Sequence, residues 1–128
     1  MKQKPVDHSH NDDPAIVISA LRELVRPFED FLVSQEGKSP GFTFNTRSLY
    51  KGKPLFFAGA QAHKSYVSFY LFPVYMFPDL LADMSPELKA RMQGKSCFNF
   101  KGVDARLFEE LALLTRRGFE RLRREKIL

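Results

Sequence analysis

The sequence has one cysteine, no tryptophan and no apolar run near the roughly eighteen residues that a membrane-crossing helix needs. With Cys97 alone, neither an intrachain disulfide nor a cysteine-rich zinc site can form, which fits a reducing, cytoplasmic setting. Glycine is sparse, at 7 residues, and never falls into the spacing of a phosphate-binding loop or a dinucleotide fingerprint. Ser65, Ser68 and Ser96 lack the strand-to-helix glycines of a nucleophile elbow. Met1 to His10 is polar, without the apolar centre of a secretory signal, so neither export nor membrane insertion is expected. Charge of one sign is also scarce: 20 Lys and Arg against 15 Asp and Glu leave +5, a small surplus mostly interleaved with acids.

What is present is apolar and aromatic. Hydrophobic residues make up 44% of the 128, and 13 are phenylalanine, enough for one domain to bury about two thirds of its surface without staples. Met1 to Asn11 has too little apolar surface to offset ordering and reads as a flexible tail, leaving residues 12–128 as a single domain. His8 and His10 with Asp12 and Asp13 have metal-ligand chemistry, but in such a tail they read as solvated.

Asp13 followed by Pro14 is a helix start, and Ile16, Leu21, Leu24, Phe28, Phe31 and Leu32 continue at helical spacing, with a break expected at Pro27. Alternation then takes over. A first strand runs through Phe42, Phe44 and Thr46, a second spans Leu55 to Ala58, and a third spans Ser65 to Phe72, as antiparallel hairpins with the third strand central. Short helices are expected after Pro78 and from about Pro86 to Gln93, followed by a strand over Lys95 to Lys101 and a last helix capped by Asp104. The expected fold is α+β: an antiparallel sheet of about four to five strands against N- and C-terminal helices, with short helices before the last strand.

Tyr66, Tyr70 and Phe72 fall on one side of the third strand, with His63 and Lys64 in the adjoining turn. If the helices cover the Val67 side, this aromatic side must be covered by the Pro73 to Met84 segment, by a partner or by a ligand. His63, Lys64, Tyr66, Tyr70 and Phe72 are therefore the candidate ligand-binding residues. Glu23, Glu29 and Asp30 form an acidic row on the first helix, readable as a metal ridge or as a solvated face paired with Arg22 and Arg26. Cys97 in an alternating strand reads as an inert, buried small hydrophobe. Arg117, Arg121 and Arg124 line up on the last helix, a ridge fit for weak phosphate attraction and no specific nucleic-acid function.

The segments Leu55-Phe56-Phe57-Ala58, His63-Lys64-Ser65-Tyr66-Val67-Ser68-Phe69-Tyr70 and Gly94-Lys95-Ser96-Cys97-Phe98-Asn99-Phe100, with the helix opened by Asp104, resemble the YdhG-like family of small bacterial domains of unknown function. The resemblance spans roughly residues 42 to 125. It implies a compact α+β domain and, through a frataxin-like iron chaperone among its members, acidic iron-binding side chains on the first helix and neighbouring edge strand. This chain departs from that pattern by mixing Glu23 and Asp30 with arginines.

The function expected is that of a cytoplasmic non-enzymatic binding domain with no cofactor, taking a small molecule or protein at the aromatic sheet face. The alternative is a frataxin-like iron-binding chaperone using Glu23, Glu29 and Asp30, and a third reading is an uncharacterised small enzyme. Either a monomer or a homodimer is compatible with the sequence.

Overall fold

A computed structural model describes residues 12–35 and 40–128. The expected tail, Met1 to Asn11, lies outside them. Helix α1, Pro14–Val25, begins as its sequence requires: the Asp13 carboxylate accepts from the Ala15 amide at 2.9 Å, and Pro14 occupies a position that needs no donor. Val17, Ile18, Leu21 and Val25 form its buried stripe.

Pro27 has no amide hydrogen to continue the helical ladder, and the chain tightens into a 3-10 turn over Arg26–Phe31. It then goes straight into an edge strand, β1, Leu32–Gln35. Periodicity placed Leu32 on the helix. It points into the core from a strand instead, at 3% exposure, because either geometry keeps it on the apolar side.

Strands β2, Gly41–Tyr50, and β3, Lys53–Ala62, form a long hairpin. Its tip, Lys51 and Gly52, has φ of 54° and 84°, the pair of left-handed residues that matches a two-residue turn to strand twist. The register slips between Phe44↔Ala58 and Asn45↔Phe56, so Phe57 is an extra residue on β3. This bulge puts Phe57 and Ala58 consecutively into the core, both fully buried. The Phe57 ring meets Phe28 and Phe119 edge-on, at centroid distances of 6.4 and 6.2 Å.

Strand β4, Val67–Leu71, leads into a one-turn helix α2, Pro73–Met76, a 3-10 turn over Pro78–Leu81, and helix α3, Pro86–Lys89. Strands β5, Met92–Gln93, and β6, Cys97–Phe100, precede the long helix α4, Ala105–Arg124, which Asp104 caps by accepting from the Leu107 amide at 3.1 Å. The six strands are antiparallel in the order β1-β2-β3-β4-β6-β5, with β4 interior. The α+β architecture thus matches expectation, but with two further edge strands, β1 and β5. Gly94, with φ of 79°, turns β5 into β6 and does not close a helix reaching Gln93.

Helices α1 and α4 pack on one side of the sheet, over Phe42, Phe44, Phe57, Val67, Phe69, Leu71, Phe98 and Phe100. The Pro73 to Met84 segment does not cross to the other side. Pro73 sits against Gly118 of α4, where an added Cβ would lie 2.9 Å from the proline ring. Farther along, Asp79 pairs with Arg121 at 2.8 Å, and Glu110 accepts from the Ser85 amide and hydroxyl at 2.7 and 2.6 Å. The segment is mainly a strap along α4, and of the aromatic side it was expected to be able to cover it reaches one end, where the Tyr75 ring stacks on Phe72 at 5.4 Å.

Candidate functional site

The β3–β4 hairpin closes where the His63 amide donates to the Tyr66 carbonyl at 2.7 Å. This closure stacks the His63 and Tyr66 rings, 4.7 Å apart and 30° from parallel. The register of β4 on β6 pairs Val67 with Phe100, so Lys101, one residue beyond the strand, arrives beside Tyr66. The start of α1 supplies Asp12 and Pro14. Together with Lys64, Ser65 and Val67 these residues line a cavity of about 320 Å³. Its wall holds two ammonium groups and an imidazole against the single carboxylate of Asp12, with the hydroxyls of Ser65 and Tyr66 as neutral donors. Such a set favours an anion, and the 37% exposed Tyr66 adds a flat apolar surface beside it.

The five candidate residues do not form one site. His63, Lys64 and Tyr66 come together in the cavity. Tyr70 lies in the middle of the sheet, opposite Gly59 and Cys97 and half-buried. Phe72 lies past the opposite end of β4, with the five residues of the strand between it and Tyr66, and there its ring meets Phe56 at 6.3 Å and stacks on Tyr75 at 5.4 Å. Sequence reasoning missed Lys101 and Asp12, because only the β4–β6 register and the position of α1 bring them to the hairpin. Lys101 could have been found by pairing the alternating runs on either side of it, had the strand order been known.

The sheet side away from the helices is uncovered by any helix among the described residues. Its rungs carry neutral side chains that hydrogen-bond laterally. Asn45 donates to Gln35 at 2.8 Å, Ser68 to Asn99 at 2.6 Å, and Asn99 to Gln93 at 2.9 Å. Cys97 belongs to this side, half-buried, with its sulfur 3.4 Å from the Asn99 side-chain oxygen. The reading of Cys97 as a buried hydrophobe is corrected accordingly: alternation gave its face, and the face is not the core.

The acidic row on the first helix does not converge. Glu23 accepts two hydrogen bonds from Arg26, at 2.9 and 3.0 Å, and these bonds hold its carboxyl below the ordinary carboxylate range. Glu29 and Asp30 belong to the 3-10 turn that follows. Among the described residues no three His, Cys, Asp or Glu side chains gather in a metal-binding arrangement. The arginine ridge of α4 is interrupted too. Arg121 pairs with Asp79 at 2.8 Å and Glu125 at 2.9 Å, and its guanidinium lies 4.3 Å from the centre of the Phe77 ring. No helix of the described residues is long and apolar enough to cross a membrane.

No family model, no curated protein and no solved structure matches this chain. A second cavity, about 120 Å³ between the strap and α4, includes Glu110, which the cap of α3 already occupies. The hairpin cavity has polar side chains without such structural duties: among the hydrogen bonds and ion pairs described, none uses the Lys64 or Lys101 ammonium groups or the Ser65 hydroxyl.

Proposed function

We propose that this domain is a non-enzymatic binding module whose ligand is a small anion carrying a flat ring, held in the cavity at the β3–β4 hairpin. One observation carries the reading: His63, Lys64, Tyr66 and Lys101 come from two separate segments and line one cavity of about 320 Å³. That volume falls in the range of small-molecule sites. Lys64 and Lys101 would hold the anionic group, Ser65 would donate to it, and the Tyr66 face with its stacked His63 would carry the ring. Tyr70 and Phe72 lie outside the cavity and belong to the sheet side instead. The YdhG-like resemblance of residues 42 to 125 is kept as part of this proposal; it rests on the sequence segments that carry it, and the ligand chemistry comes from the cavity alone.

Phenyl phosphate is a suitable probe, since it joins the two chemistries, with phenol and inorganic phosphate as its halves. Calorimetric titration should show phenyl phosphate binding more tightly than either half. Lys64→Glu and Lys101→Glu should each weaken it at least tenfold, the loss expected when a charge-assisted hydrogen bond becomes a repulsion. Equal, weak affinity for all three compounds, unchanged in both variants, would refute the assignment.

A further inference from the structure

The uncovered side of the sheet has a composition unlike the rest of the molecule. Charged residues are 27% of the chain, yet the rungs on this side, from Val33 and Asn45 through Gln61, Tyr70 and Asn99 to Gln93, include no Lys, Arg, Asp or Glu. Two cations border it: Lys101, past Asn99 at the hairpin-cavity end, and Arg47 in the irregular stretch of β2, which is folded back and donates to the Asp30 and Leu32 carbonyls. A solvated antiparallel face has no reason to exclude charge, whereas a face that loses its water on assembly does. The lateral hydrogen bonds point the same way. Asn45, Ser68 and Asn99 spend their side-chain bonding on neighbours within the sheet, so drying the face leaves fewer polar groups without partners.

We propose that this face binds the same face of a second copy of the chain, forming a two-fold symmetric, sheet-to-sheet dimer. Nucleic acid or an anionic membrane would need cations that the face lacks, and a bilayer interior would reject its amides and hydroxyls. An added peptide strand would pair with an edge and not with this flat side, and on β1 the Leu32 carbonyl is already taken by Arg47. The partner must be flat, uncharged and similarly self-satisfied, and this face itself meets that description. Charge gives a second reason. Two chains of +5 repel, and a neutral face is where they can meet at least cost. Five strands about 4.8 Å apart contributing four to five residues each, with the two residues of β5, give roughly 400 Å² per copy and about 800 Å² per pair, the size of a weak, transient encounter. The expected dimer is weak, so its formation is to be sought across the micromolar to submillimolar range.

The experiment is sedimentation equilibrium of the full chain from about 5 to 500 µM, bracketing the expected Kd. The average mass should rise from 14.8 kDa towards twice that value, and added salt should strengthen the dimer by screening the like charges. Salt should weaken anion binding in the hairpin cavity, so the two proposals can fail separately. Thr43→Lys and Gln61→Lys place a charge on the face and should weaken dimerisation at least tenfold, while Ser19→Lys, exposed on α1, adds the same charge elsewhere and should leave it nearly unchanged. Cys97 gives an independent readout in the unaltered protein: its reaction with a bulky thiol reagent should slow several-fold as dimer forms. A monomer throughout the range would assign the face to some other uncharged partner and overturn the proposal. So would a dimer indifferent to Thr43→Lys and Gln61→Lys, equal weakening by Ser19→Lys, or Cys97 reactivity independent of concentration.

Discussion

Gly118→Ala sets two effects of opposite sign against each other at the point where the strap meets α4. In an open helix interior, replacing glycine by alanine stabilises by about 1 kcal/mol, because the unfolded chain loses freedom and the helix gains a better former. At position 118 the new methyl would sit 2.9 Å from the Pro73 Cβ and 3.2 Å from its Cγ, against atoms of a closed ring that cannot rotate away. Overpacking of this kind costs about 1–3 kcal/mol. The clash should therefore win, with a net loss of about 1 kcal/mol and a Tm lower by about 3–5 °C for a chain of this length. Pro73→Gly removes both contacting atoms, so in the double variant the alanine should recover its usual benefit, giving a coupling of about 1–2 kcal/mol. Denaturant melts of the four proteins measure this directly. A Gly118→Ala protein more stable than the parent, with no coupling to Pro73→Gly, would mean that the strap does not lie against α4 and that the sheet side it leaves open is not established.

Further predictions rest on single contacts. Phe57→Ala should cost about 3–5 kcal/mol in a urea melt, since its fully buried ring joins Phe28 and Phe119 and the bulge cannot collapse around the cavity. The hydrogen bond from Arg121 holds the Asp79 carboxyl below its ordinary value, so this pair contributes stability above the unfolded carboxylate range and loses it as pH falls through the depressed value. The Tm difference between the parent and Asp79→Asn should accordingly be present at neutral pH and shrink in acid below about pH 4; a difference that grows on acidification contradicts the pairing. Because Arg121 is held by Asp79 and Glu125, any DNA binding at low salt should vanish near physiological ionic strength, and filter binding that survives there would refute it.

Much of the fold could be read in the sequence wherever local chemistry and tertiary demand coincide. Asp13-Pro14, Ser85-Pro86 and Asp104 each open a helix as their side chains dictate, the alternating Phe42 to Thr46 run lies in β2, and the centre of the Ser65 to Phe72 run, Val67 to Leu71, forms β4. The edges were not legible. Leu32 satisfies helical and extended patterns equally, and the two residues of β5 gain their strand geometry only by pairing with β6. Phe57 and Ala58 break alternation through a bulge set by β2, which the β3 sequence does not encode by itself. For the candidate site, the His63-to-Tyr66 turn was visible because its residues are adjacent, and Lys101 was not, because it enters across two strands. The grouping with Tyr70 and Phe72 came from alternation, which gives the face of a side chain but not its distance along the strand.

The binding proposal is tested most directly by amide chemical-shift mapping of the isotope-labelled protein titrated with phenyl phosphate. Saturable shifts are expected at residues 63–67 and at Lys101, with Asp83, Glu110 and Arg117 around the cavity between the strap and α4 unmoved. Shifts centred on α4 and the strap, or none at residues 63–67 and 101 at millimolar probe, would contradict it.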